Sequence, residues 1–416
     1  MKTNQILKIG TPAVMVGCDV LPPEPSPKLT SISLSDPTLR PKVVPPSSSP
    51  PKRVAEFWNV PATITPNNFV YKSLSNWAFN TAIGCSHGCG FCYVPSASTN
   101  KQAPALKKYG VDDPDADWGN YVLVRPWDEK KFRASLRKAE ATPEGELKPD
   151  GNRAVMYCST TDPYQVIRGG DSSESRDLND AARYLVTRSL ELIRDESTLN
   201  IRILTRGPLA RLDFDLMRSF GDRLTFGMSL PTLRNDLARI YEPSAPAPSQ
   251  RLATLRAAAN AGLNIYVAIA PTYPECDADD LRVTLEAVAA LRPITVFHEP
   301  INIRAENVAR IEGHAKTLGL RVKTDVFATA DTWRGYALDS LRTVERLADE
   351  VGLRERLHLW PDASLGSKGA RLASPDPERY SAWLNHWWTR RSEWPSRNGD
   401  PVCRDYERSH WGDEIA

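Results

Sequence analysis

Three cysteines fall within eight positions in the segment Ala82-Ile83-Gly84-Cys85-Ser86-His87-Gly88-Cys89-Gly90-Phe91-Cys92-Tyr93, with three residues between the first pair and two between the second. Thiolates spaced this way in one loop reach three irons of a [4Fe-4S] cubane. They leave the fourth iron without a protein ligand, an open position at a metal centre that also delivers an electron. A fourth cysteine would restrict such a cluster to electron transfer. Gly88 and Gly90 let the backbone fold closely, because glycine tolerates positive φ and close approach, and Phe91 would set an apolar face beside the cluster. The other reading of this loop is a zinc knuckle that recruits His87 or a distant cysteine as fourth ligand, although zinc sites favour paired C-x2-C units. Cys18, Cys158, Cys276 and Cys403 are scattered without ligand spacing, so nothing points to a second cluster.

The cysteine segment follows directly from the first predicted strand, and the C-terminal ends of barrel strands are where such folds place their chemistry. Short apolar runs alternate from about residue 77 with amphipathic helical stretches, the signature of parallel β/α units. Strands are predicted at 76–83, 154–158, 201–205, 224–229, 264–270 and 294–298. Helices are predicted at 128–139, 179–195, 211–220, 249–261, 278–291 and 305–318, the last closed by Gly319. Beyond them come a strand at 320–327, a helix at 333–351, a short strand at 357–360 and a final helix containing WLNHWWTRR.

This pattern describes an α/β fold, a partial (β/α)6 TIM-like barrel over residues 67–327. A Pro-rich N-terminal arm, extended or disordered, would occupy 1–66, and an α-rich, Trp-rich C-terminal extension covering the barrel would occupy 328–416. Trp383, Trp387, Trp388, Trp394 and Trp411 in that extension suit either aromatic packing over the barrel or a stacking surface for substrate or nucleobase.

Composition narrows the function. The 416 residues carry a formal charge of +2, with 53 Lys and Arg against 51 Asp and Glu. That gives no broad drive to coat nucleic acid, though a local basic groove remains compatible with it. Seven cysteines, three of them clustered, suit metal ligation in a reducing compartment better than a disulfide framework. No run approaches the roughly 20 apolar residues that span a bilayer, and the first residues lack a signal-peptide pattern. A cytoplasmic protein with no membrane partner is expected.

The residues resemble the radical S-adenosylmethionine (AdoMet) superfamily, and within it the spore photoproduct lyase-like group of DNA repair photolyase-related proteins. The resemblance runs from about Asn80 to Pro274 through CSHGCGFCYVP, DWGNYVLVRPW, STTDPYQ, ILTRGPL, MSLPTL, YEPSAPAPSQRL and APTYP. It implies that Cys85, Cys89 and Cys92 hold a [4Fe-4S] cluster and that AdoMet chelates the fourth iron. Phe91 would border the cofactor, and Thr161 would hydrogen-bond it or else act as a turn hydroxyl ahead of Asp162. Arg206 stands where the family usually has a lysine facing the cofactor carboxylate, and arginine keeps the charge while adding a bidentate fork. Ser229 would contact the ribose or carboxylate, and Ala270 and Pro271 would border the adenine.

The implied reaction is reductive cleavage of AdoMet to a 5′-deoxyadenosyl radical, which abstracts hydrogen from a substrate. An external one-electron reductant such as flavodoxin or ferredoxin is implied too. The substrate is either a DNA photoproduct, favoured by the family and by Arg390, Arg391 and Arg397, or a small biosynthetic intermediate. Photoproduct lyases of the group return a hydrogen atom from a cysteine near the end of the second strand. Cys158 lies there but one residue further from Asp162, and such an offset turns a strand side chain to the opposite face. It is read either as that donor or as a buried core cysteine. His298, Glu299 and Asn302, at the end of the sixth strand, would face the mouth and bind substrate or else hold the strand end by hydrogen bonds. The alternatives are atypical AdoMet cleavage with aminocarboxypropyl transfer, and a zinc-binding nucleic-acid module.

Overall fold

Segments such as Ala154–Tyr157 and Leu224–Ser229 are buried at every position, which is what parallel strands covered on both faces require. The computed structural model describes residues 53–67, 74–169, 172–392 and 403–405. The strands of the two larger sheets, in chain order, are β1 Val54–Phe57, β2 Ile64–Pro66, β3 Trp77–Phe79, β4 Ala82–Gly84, β5 Tyr121–Val124, β6 Ala154–Tyr157, β7 Asn200–Thr205, β8 Leu224–Ser229, β9 Asn264–Thr272, β10 Thr295–Pro300 and β11 Leu357–Leu359. The main sheet has eight strands in the order β11-β10-β9-β8-β7-β6-β3-β2, and a side sheet runs β1-β5-β4. Within the main sheet every pairing from β3 to β11 is parallel, and β2 joins β3 antiparallel at the edge. The result is an open partial barrel.

Helices cover its outside: α1 Glu129–Glu140, α2 Ser172–Glu196, α3 Phe214–Arg218, α4 Asn235–Tyr241, α5 Pro248–Asn260, α6 Ala278–Ala289, α7 Asn307–Thr317, α8 Ala330–Glu350 and α9 Pro377–Thr389. Several begin as their sequences dictate. Asp128, Asp277 and Thr329 each accept a backbone N–H of the first turn of α1, α6 and α8, the usual way of satisfying a helix's orphan donors. Gly319, with φ of +68°, follows the end of α7.

The strand period of two sorts side chains into two faces. Arg202, Tyr266, Phe297, His358 and Trp360 point into the barrel. There Phe297 and Trp360 stack at 4.6 Å between centroids, and the Arg202 guanidinium lies 5.1 Å from the Tyr266 ring centre. Gly227 faces Tyr266 so closely that an added Cβ would come within 2.3 Å of the ring.

The six predicted barrel strands and the short strand near 357 are present, with four differences. The single strand expected at 76–83 is two, β3 in the main sheet and β4 in the side sheet, because the chain turns at Asn80 and Thr81 to pair with β5, which had not been predicted. The strand expected at 320–327 is instead a 3-10 turn over Thr324–Phe327; the place beside β10 is taken by β11. The arm expected to end at residue 66 contains β1 and β2, and Val54, Trp58, Ala62 and Ile64 are buried; runs of three and four residues beside prolines carry too little periodicity to register. The division expected at residue 327 does not follow the sheet, since β11 completes it and α8 packs on β10 and β11.

Residues 1–52 of the expected arm lie outside the described residues, as do Cys18, Trp394, Arg397 and Trp411. Of the other tryptophans, Trp387 is 1% exposed, Trp383 donates to Glu345 at 2.7 Å and Trp388 to the Pro361 carbonyl at 3.0 Å. These three pack α9 onto its neighbours. Arg390 is also buried, its guanidinium 5.4 Å from the Trp387 ring centre and bonded to the Arg354 carbonyl. Among the described residues no helix is long and apolar enough to cross a membrane.

Candidate active site

β4 delivers the cysteine loop through Gly84, whose φ is +86° and where an added Cβ would lie 2.2 Å from the Tyr121 carbonyl oxygen. Only glycine fits there. Within the loop the Gly88 N–H approaches the Cys85 carbonyl at 3.4 Å, and the Cys92 N–H donates to the Cys89 carbonyl at 3.1 Å. Gly88, at φ +57°, lies against Gly119.

Residues from three other parts of the fold then hold the loop. Thr161 Oγ1, just past β6, donates to the Gly84 carbonyl at 2.5 Å and accepts from Gln165 Nε2 at 2.7 Å, while Gln165 Oε1 takes the Ser86 N–H at 2.6 Å. The Gly90 N–H donates to the Tyr241 carbonyl at the end of α4 at 2.9 Å. From α7, Arg310 donates to the carbonyls of Gly90 at 3.2 Å and Cys92 at 2.5 Å and pairs with Asp115, and Asn307 approaches the Phe91 carbonyl at 3.4 Å.

Asp162 joins this loop to the ends of β6 and β7. Its carboxylate accepts from Thr205 Oγ1 at 2.6 Å, the Tyr164 N–H at 2.8 Å and the Arg206 N–H at 2.7 Å, and lies 3.5 Å from His87 Nδ1. Asn80, between β3 and β4, accepts both the backbone N–H and the hydroxyl of Thr160 at 3.0 Å. A buried carboxylate this fully bonded fixes its neighbours' geometry.

Cys85 and Cys89 are buried and Cys92 is half-buried. Burial raises all three thiols, Cys89 to about 12. Asp162 and the other two cysteines push Cys85 further up, whereas Arg206 opposes the rise at Cys89 and Cys92, and Arg310 does so at Cys92. The three thiols thus feel one another's charge within a single loop. Three thiol donors lined by guanidinium groups fit a cubane, in which each thiolate takes a different iron and the cations offset the thiolate charge. Among the described residues no three His, Cys, Asp or Glu side chains gather round a single ion. His87, the fourth ligand of the zinc reading, is instead 4% exposed beside Asp162, with burial lowering its pKa to about 4.

Arg206 closes β7 on the inner face. Its Nε donates to Glu242 at 2.5 Å, its guanidinium lies 5.6 Å from the Phe91 ring centre, and its charge acts on Cys89. Glu242 is fully buried and bridges to Arg251 at 2.6 Å. Arg251, 1% exposed, donates in turn to the carbonyls of Pro246 and Ser229. Tyr273 stacks on Tyr241 at 4.0 Å and lies 5.9 Å from Phe91, centroid to centroid. Ser229 is buried on the inner face, and the cis Ala270–Pro271 peptide follows two residues beyond Ala268 on β9. Phe91, Arg206 and Cys89 are therefore brought together, while the Thr161 hydroxyl is engaged in holding the cysteine loop.

Cys158 is 4% exposed, with φ of +60° immediately after β6, and its sulfur contacts Thr81 Oγ1 at 3.4 Å. Burial pushes this thiol up to about 12. The environment is that of a core cysteine.

The expectation that His298 faces the mouth is corrected. The ring is fully buried on the outer face, within 3.0 Å of Thr272 Oγ1 and 2.9 Å of the Ile269 carbonyl through Nδ1, and 3.3 Å from Ser340 of α8 through Nε2. Strand alternation explains it, because Phe297 and Glu299 take the inner face. Glu299 is half-buried there, and Asn302 lies beyond the strand with a buried Oδ1 and its carbonyl accepting from Asn307 at 2.8 Å.

Sequence reasoning missed Asp162, Gln165, Glu242, Arg251 and Arg310. The first four lie within TTDPYQ, where the sequence reading falls on Thr161, and YEPSAPAPSQR, from which it draws no site residue. Arg310 lies in an ordinary amphipathic helix and carries no local signal.

No protein-family model matches the chain. An uncharacterized protein of Acidianus two-tailed virus, ORF301, is 31% identical over 256 residues, which cover 60% of this chain and 75% of the viral protein. The two belong to one family. The uncharacterized protein Rv2578c of Mycobacterium tuberculosis is 27% identical over 195 residues, 46% of this chain, so the chain spans about half, 48%, of that relative's length. Among solved structures, a tyrosine variant of spore photoproduct lyase covers 73% of this chain and 80% of its own at a TM-score of 0.51 and 13% identity. A cysteine variant of the same lyase with bound AdoMet and dinucleoside spore photoproduct covers the same shares at 0.50 and 14%. The likeness to the spore photoproduct lyase-like group drawn from the motifs is thus borne out in the fold.

Proposed function

We propose that the chain is a radical AdoMet enzyme, with Cys85, Cys89 and Cys92 as ligands of a [4Fe-4S] cluster. One observation carries the reading: three neighbouring thiols, with Arg206 and Phe91 beside them, lie in a preorganised loop at the C-terminal mouth of a partial barrel. Spore photoproduct lyase, which has this fold, has been seen with AdoMet bound. When bound, the cluster would supply the electron that divides AdoMet into methionine and a 5′-deoxyadenosyl radical able to take a hydrogen atom from substrate.

The chain's own residues supply the setting. Arg206 presents a guanidinium to the cofactor carboxylate. Phe91, Ser229, Ala270 and Pro271 border the rest of it, and Thr161, Gln165, Arg310 and Asp162 fix the loop. The strands beneath close the site to water, which protects a reactive radical. An external one-electron carrier of the flavodoxin or ferredoxin kind is the reductant. The substrate approaches over the ends of β9 and β10, where Glu299 and Asn302 are placed to meet it.

The test is anaerobic reconstitution with iron and sulfide, then dithionite and AdoMet, with nucleoside products read by mass spectrometry. The expected result is 5′-deoxyadenosine from the wild type and none from Cys89→Ala. Methylthioadenosine would establish aminocarboxypropyl transfer instead, and a colourless zinc protein without cleavage would overturn the reading. Adding dinucleoside photoproduct separates the two substrate classes: consumption of it places the chain among photoproduct lyases, and indifference turns the search to small metabolites.

A further inference from the structure

We propose that Glu242 and Arg251 are positioning residues that aim the Arg206 guanidinium, as a charged fork, at the carboxylate of the cofactor; the inference rests on the radical AdoMet reading. Arg206 has five N–H donors in a rigid plane. Its Nε is taken by Glu242 at 2.5 Å, and among the described residues neither of its Nη groups donates to a protein acceptor. The side chain keeps 18% of its surface exposed, while Glu242 has none and Arg251 has 1%. The guanidinium is therefore gripped by one edge from a buried anchor and shows its other edge to the site. That free edge is the half of the group that binds a carboxylate with two parallel hydrogen bonds.

A Glu–Arg pair alone would be neutral and a weak receptor for an anion. Arg251 changes the balance: one carboxylate between two guanidiniums leaves a net charge of +1 in the triad, and Arg206 is its only exposed member. Arg251 is itself fixed by the carbonyls of Pro246 and Ser229, so Glu242 cannot swing toward Arg206 and release its aim. The stacked Tyr241–Tyr273 pair, together with Phe91, walls the guanidinium on the side of the cysteine loop. All of this arises from the YEPSAPAPSQR segment, which brings Glu242 and Arg251 to one point from α4 and α5.

The test compares wild type, Glu242→Gln, Arg206→Lys and the double variant Glu242→Gln/Arg251→Gln, each reconstituted. The double variant removes one charge of each sign, so the one ion left without its partner is Arg206, the member of the triad that reaches the site surface, which limits the cost to folding. AdoMet affinity is measured by equilibrium dialysis, kcat and KM by 5′-deoxyadenosine formation, and folding by the melting temperature of the metal-free protein. The expected result is a rise of about tenfold or more in Kd and KM for all three variants, equivalent to about 1.4 kcal/mol, with kcat at saturating AdoMet within about threefold and iron content unchanged. A purely structural role would lower iron content and kcat together and leave KM alone. Wild-type affinity in the double variant or in Arg206→Lys would overturn the inference while leaving the enzyme reading intact. Failure of the wild type to bind AdoMet at all would remove both.

Discussion

Replacing Asp162 with asparagine tests whether one carboxylate holds the cysteine loop to the barrel. The native group accepts three hydrogen bonds, from Thr205, Tyr164 and the Arg206 backbone. Asparagine has one acceptor oxygen and one donor nitrogen. If its oxygen keeps the bonds from Thr205 and Tyr164, its amide faces the Arg206 N–H donor to donor, which costs about 1–3 kcal/mol for an unsatisfied buried donor. The two retained bonds also lose their charge assistance, about 1–2 kcal/mol more. The total is about 2–5 kcal/mol, or a fall in melting temperature of about 4–10 °C at about 2 °C per kcal/mol for a chain of this size. Circular dichroism of the metal-free protein measures it, with Asp215→Asn as control because that side chain is 92% exposed. Iron bound after reconstitution should fall in parallel. If Asp162→Asn melts within about 1 °C of wild type and binds the same iron, Asp162 does not organise the site.

Three further outcomes follow from the same geometry. Gly84→Ala forces a side chain into φ +86° and against the Tyr121 carbonyl, so urea unfolding should show a loss above about 3 kcal/mol, among the largest for a single substitution; a loss below 1 would mean that β4 can shift. The His298 ring has its pKa lowered to about 4 by burial, against about 6.5 in an unfolded chain. The unfolded state therefore takes up the proton first, and stability present above pH 6.5 is lost as the pH falls toward 4, about 3 kcal/mol in all. In His298→Asn the difference in unfolding free energy between pH 7 and 4.5 should shrink by about 2–3 kcal/mol, and an unchanged difference would contradict the assignment. Arg310→Met removes the donors to the Gly90 and Cys92 carbonyls, so alkylation of Cys92 by iodoacetamide in the metal-free protein should be faster than in wild type by mass spectrometry; an equal rate would show that the loop holds itself.

The barrel strands were readable because each is a short apolar run bounded by turn residues, and the helices because their apolar periodicity is clear. β4 and β5 were not, because the side sheet depends on a turn at Asn80 and Thr81 that brings together segments some forty residues apart, and no local period reports that. The cysteines and Arg206 were visible as residue types at strand ends. Glu242 and Arg251 were not, since their importance lies in a buried ion pair joining two helices, a tertiary fact. His298 was misplaced for an avoidable reason: Phe297, His298 and Glu299 alternate, so they cannot all face the mouth, and the larger apolar residue claims the interior.

On the reading proposed above, the charges lining the cysteine loop let one loop serve both with and without metal. Three thiolates would carry three negative charges, and the surroundings do not balance them. The Arg206–Glu242–Arg251 triad contributes a net +1, and Arg310 is cancelled by Asp115. Burial of the thiols is the larger effect, since it raises Cys89 to about 12 despite Arg206. Without metal the loop therefore holds neutral thiols, and its shape must come from elsewhere. It comes from backbone groups fixed by Thr161, Gln165, Tyr241 and Arg310, none of which depends on the charge of a thiol. Binding iron there would then demand three deprotonations but no refolding. The positive charge that stabilises the thiolates would be left to the metal, while the surplus positive charge of the triad, exposed at Arg206, stays available for an anionic ligand.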